Sequence, residues 1–148
     1  MRLGDVVRIP LSSGCFGFGW VLRNPLMAFF DLCLDEPLPP LCEVVARPVA
    51  FKLWVMNYAV TKGLWPVIGR SELPPEQLVV PRLFKVDLMS GSLSTTSGGG
   101  EERPATREEC EGLERAAVWD PEHVVSRLED YFAGRPNKWV ESLRLKGL

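Results

Sequence analysis

At 148 residues the chain is long enough for one domain with a real core, and length gives no reason to expect two. Hydrophobic residues at 46% and charged residues at 24% are ordinary for a globular protein. The net charge of −2 offers little whole-molecule attraction for nucleic acid or an anionic membrane, and no apolar run is long enough to span a bilayer.

The chain opens on Met1-Arg2-Leu3-Gly4-Asp5, without a signal-peptide hydrophobic stretch, so the expected location is the cytoplasm. Gly4-Asp5 leads into Val6-Val7-Arg8-Ile9-Pro10-Leu11, a run of strand composition, and Ser12-Ser13-Gly14 is turn chemistry. From Cys15 to Arg23 the residues alternate. Phe16, Phe18, Trp20 and Leu22 form a bulky face, whereas Gly17, Gly19 and Val21 leave the other nearly bare. The two glycines predict a bend, or another segment packed closely on that face. Asn24-Pro25 is a second turn, and Leu26 to Leu34 reads as a mostly apolar strand interrupted by Asp31.

Pro37, Pro39 and Pro40 impose a connecting loop. Val49 to Met56 is a strand with Phe51, Leu53 and Val55 on one side and Lys52, Trp54 and Met56 on the other. Asn57 to Lys62 reads as a short helical turn ended by Gly63. Leu64 to Arg70 is strand-like, with Pro66 arguing for an edge. A proline-bounded loop from Leu73 to Pro81 precedes a last hairpin, Arg82–Met89 and Leu93–Thr96, around Ser90-Gly91-Ser92. Ser97-Gly98-Gly99-Gly100 is flexible in composition, and the loop is expected to run over residues 97–104.

Beyond Gly100 the character changes to helix. Thr106 and Glu109 form a capping box, and a helix is expected over residues 107–118, with Glu111 and Arg115 as an i,i+4 pair. Asp120-Pro121 starts a second helix over residues 121–133, with Val124, Val125, Leu128, Tyr131 and Phe132 as its apolar stripe and Gly134 at its end. Periodicity leaves Trp139 to Leu145 open between helix and strand. The expected fold class is therefore α+β: a strongly bent, barrel-like antiparallel sheet over residues 4–97 with two short C-terminal helices, all in a single domain spanning residues 1–148.

Catalytic chemistry finds little footing. His123 is the one histidine, placed in the first turn of a predicted helix, and a thiol or hydroxyl partner would have to come from elsewhere in the fold. Cys15, Cys33, Cys42 and Cys110 contain no Cys-x-x-Cys pair and are expected to be free, largely buried thiols. No phosphate loop or dinucleotide fingerprint is present, and Asp31, Asp35 and Glu36 lack metal-ligand spacing. Neither catalytic residues nor a cofactor or metal is expected.

Charge distribution carries more information. Residues 1–100 hold nine Lys/Arg and eight Asp/Glu, residues 101–130 hold four and ten, and residues 131–148 hold four and one. The acidic segment includes Glu108, Glu109, Glu111, Glu114, Asp120, Glu122, Glu129 and Asp130. Two readings stay open: a solvated face with helix-cap acids, or a surface for a basic protein partner. The expected partner surface comprises Glu108, Glu109, Glu111, Glu114, Asp120, Glu129 and Asp130, with Trp119 as an exposed aromatic anchor.

Several stretches resemble the immunity protein 26 family of bacterial polymorphic toxin systems. They are Gly4 to Leu11, the Gly-x-Gly-x-Val-Leu strand from Gly17 to Leu22, Phe51 to Met56, and Trp65-Pro66-Val67-Ile68-Gly69 followed by Leu73-Pro74. The resemblance spans roughly residues 4–90, and the remainder looks like an extension. It implies a cytoplasmic antidote that binds a cognate toxin domain and blocks it by occlusion, with no catalytic motif; the net charge separately leads us to expect neither nucleic acid nor membrane as partner. Two other readings remain: a small-barrel ribonuclease, since such enzymes also open with Gly-Asp-Val-Val, and a peptide- or nucleic-acid-binding barrel module.

Overall fold

The first strands form as their composition dictates. In the computed structural model, which describes residues 1–97 and 101–145, β1 (Asp5–Pro10) and β2 (Phe16–Arg23) make an antiparallel hairpin, with Val6 opposite Trp20 and Pro10 opposite Phe16. Gly4 precedes it at φ +87°, and a Cβ there would lie 2.5 Å from the Ser71 carbonyl oxygen, so only glycine fits. β3 (Leu26–Phe30) pairs antiparallel with both β2 and β4 (Val49–Val55). β5 (Val67–Arg70) takes the far side of β1 as an edge strand, the position that Pro66 foretells.

A second sheet of four strands follows. β6 (Leu83–Val86) and β7 (Leu93–Thr96) form the expected hairpin, and β8 (Glu102–Pro104) pairs with β7. β9 (Glu114–Arg115) runs parallel to β6, giving the order β8-β7-β6-β9. β10 (Val118–Trp119) returns to the first sheet, parallel to β4, completing the order β10-β4-β3-β2-β1-β5. Five α-helices, α1 (Leu41–Val45), α2 (Tyr58–Thr61), α3 (Arg107–Cys110), α4 (Pro121–Ala133) and α5 (Lys138–Leu143), and a 3-10 turn at Pro75–Leu78 complete the described structure.

Both faces of the six-stranded sheet are buried. One carries Val6, Phe18, Trp20, Leu22, Leu26, Ala28 and Phe30, covered by Val44 of α1 and by Leu41, Leu73 and Val80. The other carries Val7, Ile9, Val21, Met27, Phe29, Leu53 and Val55, covered by Trp65, Trp119 and the α4 residues Val124 and Leu128. The nearly bare face of β2 is thus where α4 sits: a Cβ on Gly17 would meet Leu128 Cδ1 at 3.4 Å. Trp20 lies in the opposite layer and satisfies its indole by donating to the Gly4 carbonyl at 3.1 Å.

The α+β class holds, with differences of arrangement. The strands divide into two open, bent sheets rather than one barrel-like sheet, because β6 continues into a separate four-stranded layer. The bends fall at register shifts between Val6 and Val7, Val21 and Arg23, and Phe29 and Phe30. β3 stops at Phe30, with Leu34 making an isolated bridge to Phe16.

The helix expected over residues 107–118 is a single turn. Its capping box forms as predicted, with the Thr106 hydroxyl accepting from the Glu109 amide and the Glu109 carboxylate accepting from the Thr106 amide. Gly112 then adopts φ +83°, and the chain turns out to fill two sheet edges as β9 and β10. Glu111 and Arg115 therefore do not form a helical pair. The helix from Pro121 to Ala133 matches expectation, ending on Gly134 at φ 70°. Trp139 to Leu143 proves helical, capped by Asn137, whose side chain accepts from Trp139 and Val140 amides. Residues 102–104 of the expected loop are strand, while Gly98, Gly99 and Gly100 lie outside the described residues.

Candidate interaction surface

The acidic residues of the C-terminal third do not share one helical face. Glu108 and Glu111 are exposed, and no hydrogen bond or ion pair to another described residue holds them. The other members have structural duties. Glu109 closes the capping box, and the Thr106 amide and hydroxyl beside it hold its carboxyl below the usual range. Glu114 on β9 receives Arg127 of α4 through two bonds, Nη1 to Oε1 at 2.7 Å and Nη2 to Oε2 at 3.1 Å. Asp120 caps α4 by accepting from the Glu122 amide, and its second oxygen accepts from the Tyr58 hydroxyl at 2.8 Å. That bond holds the Tyr58 phenol above its ordinary pKa.

Glu129 accepts from the Ser12 amide at 2.7 Å, tying α4 to the β1–β2 turn. Asp130 accepts from Asn137 at 2.8 Å and pairs with Arg135 at 3.1 Å. Trp119, expected to be an exposed anchor, is 5% exposed: β10 pairing turns it into the layer beneath α4. Arg127 lies over its ring at 5.2 Å and over Phe51 at 4.1 Å.

The most exposed apolar side chains are elsewhere. Leu88 and Met89, at the tip of the β6–β7 hairpin, are 95% and 98% exposed. They stand on an ordered turn, since Asp87 Oδ1 accepts from the Met89 amide at 2.8 Å and the Ser90 amide at 3.1 Å. These two bonds, that from Ser90 first, hold the Asp87 carboxyl below its usual pKa. Sequence reasoning found the hairpin but not the exposure of its tip, because an apolar pair beside a turn reads equally well as the end of a buried strand.

Two concavities lie around α5. A cavity of about 440 Å³ is lined by Leu113, Arg115, Trp119, Arg127, Val140 and Leu143, with Glu111, Glu114 and Arg144 also on its wall. A smaller one, about 140 Å³, brings Asp120, His123 and Ser142 to one lining. These three do not form a proton relay. The His123 ring stacks on Trp139 at 3.5 Å between centroids, Ser142 Oγ donates to the Trp139 carbonyl at 2.7 Å, and the Asp120 carboxylate is occupied by Tyr58 and Glu122.

The cysteines are free, but only Cys110 is fully buried, and burial pushes its thiol pKa up. Cys42 is exposed, while Cys15 and Cys33 are half-buried neighbours beside the Phe16–Leu34 bridge. Among the described residues no group of three or more His, Cys, Asp or Glu side chains is placed to hold a metal ion, and no helix is long and apolar enough to cross a membrane.

A family model described as immunity protein 26 matches residues 2–93, a span that runs from before β1 to the first residue of β7. No curated protein and no solved structure matches the chain.

Proposed function

The chain belongs to the immunity protein 26 family, and from that membership we propose that it is the antidote to a cognate toxin domain, which it silences in the cytoplasm by binding and covering it. The family match carries this reading. The engagement of His123, Asp120 and Ser142 in other contacts accords with it, since they offer no assembled nucleophile. Residues 1–148 would act as one folding unit, the extension completing the core that the matched region begins.

A stable complex of ordinary size covers about 800 Å² of each partner and rests on a few anchors. Leu88 and Met89 suit the anchor role, being apolar, exposed and pre-positioned. Glu108 and Glu111, exposed and unpaired among the described residues, would steer a partner with a basic surface. The test is co-expression with a candidate toxin domain, chosen from any toxin-like reading frame found next to this gene. Protection of growth, a one-to-one complex in light scattering, and intact RNA when the purified chain is incubated with it are expected. Inhibition should saturate at equimolar protein. Failure to protect and to form the complex would remove the reading, and cleavage of RNA by the isolated chain would favour the ribonuclease alternative. Glu108→Lys with Glu111→Lys should slow association at low salt; unchanged kinetics would take that patch out of the interface.

A further inference from the structure

The larger cavity beside α5 contains an arginine with unused hydrogen-bonding capacity. Arg115 sits on β9 with its guanidinium over the Phe84 ring at 5.3 Å. Its Nε is buried and makes no hydrogen bond, and it pairs with no carboxylate among the described residues. Nε is shielded from solvent, so a ligand in the cavity would meet the terminal nitrogens of the same guanidinium. The other two arginines of the wall are committed. Arg127 is held in two bonds by Glu114, and Arg144 pairs with Glu141 at 3.3 Å.

What surrounds Arg115 decides what it would accept. The cavity has about 440 Å³, more than a carboxylate alone requires, and Leu113, Val140 and Leu143 give it apolar walls. A ligand with a methylene stem and a terminal carboxylate matches both parts: the stem against the aliphatic wall, the two oxygens on the planar guanidinium fork. The remaining lining carboxylate, Glu111, forms no ion pair with Arg115. Arg115 also lies outside the residues that match the family model, in the stretch where this chain builds its own surface.

We propose that this cavity receives a glutamate or aspartate side chain of the partner protein, its carboxylate seated on Arg115. The source of that side chain rests on the toxin-binding reading; the recognition chemistry does not. The partner face would then join basic residues opposite Glu108 and Glu111 to one acidic residue that enters the cavity.

The experiment uses the full chain, labelled with nitrogen-15, and two probes: N-acetyl-glutamate N-methylamide and its glutamine counterpart. The Arg115 Nε–H and Trp119 indole N–H signals are followed during titration. A saturable shift with the glutamate probe, at least about tenfold weaker with the glutamine probe and with Arg115→Met, is expected for a charge-assisted fork contact. Equal response to both probes, or an undiminished response in Arg115→Met, would overturn the proposal. If Arg115→Met does not fold, Arg115→Lys serves, and it should keep only a fraction of the affinity because it lacks the fork. A second arm measures the complex with the toxin domain. A chain that takes the glutamate probe but no toxin would leave the cavity standing and sink the toxin reading. A chain that binds toxin equally well with and without Arg115, and ignores the probe, would do the reverse.

Discussion

The two faces of the six-stranded sheet are covered by different parts of the chain. The face holding Phe18, Trp20 and Phe30 is closed by residues 41–80, all inside the span that matches the family. The face holding Val7, Ile9 and Phe29 is closed partly by Trp65, inside that span, and partly by Trp119, Val124 and Leu128, outside it. The C-terminal third is thus a layer of the same core, joined to the first sheet by β10 pairing and by the Glu129 contact to Ser12, and to the second by β9 pairing with β6. An extension of this kind has little freedom to move as a separate body. It can still differ on its outer side, where Arg115 and the free acids lie.

The most severe way to break the comparison is to remove residues 101–148. That exposes Val7, Ile9, Val21 and Phe29 to water, and the truncated chain should show no cooperative melt by calorimetry and should bind hydrophobic dyes. A truncated chain that melts sharply would reduce the extension to an accessory. Next in size is Leu128→Ala, which empties a fully buried site and should cost about 2–5 kcal/mol in denaturant unfolding. Val44→Ala probes the opposite face and should cost about 1–3 kcal/mol, fewer methyl groups being lost. If Leu128→Ala cost less than Val44→Ala, α4 would be loosely seated.

Arg127→Met tests the clamp. The Arg127 side chain is 13% exposed and Glu114 41%, so the pair is partly screened, and a loss of about 1–3 kcal/mol is expected. Glu109→Gln should have a smaller, pH-dependent effect. The folded-state pKa of Glu109 is depressed, so its charge stabilises the fold above the ordinary glutamate pKa, and this contribution is lost as pH falls through the lowered value. The variant should therefore melt slightly below the parent at pH 7 and with it in strong acid; a gap that persists in acid would assign the effect to something other than the charge. Smallest of all, Leu88→Ser with Met89→Ser should change stability by no more than about 0.5 kcal/mol, since neither side chain is packed, while toxin binding falls.

Several features were legible in the sequence because they are local. The β1–β2 alternation, Gly17 where α4 packs, Pro66 at an edge, the Thr106–Glu109 box and the Asp120-Pro121 start all express preferences of a few adjacent residues. Gly112 was a local signal too, but the acidic and apolar spacing around it read as one continuous helix. What replaced that helix was not local: β6 and β4 each had an open edge, and the backbone of residues 114–119 satisfied both. Once it did, Trp119 turned inward, Glu114 met Arg127 thirteen residues away, and Arg115 was set against the cavity. The sequence by itself determined the first seven strands, the start of α3 and both ends of α4, each of which rests on adjacent residues. The tertiary structure decided which acids of the C-terminal third are engaged and that Arg115 meets no carboxylate among the described residues, because charge pairing and sheet-edge completion depend on distances in space rather than along the chain.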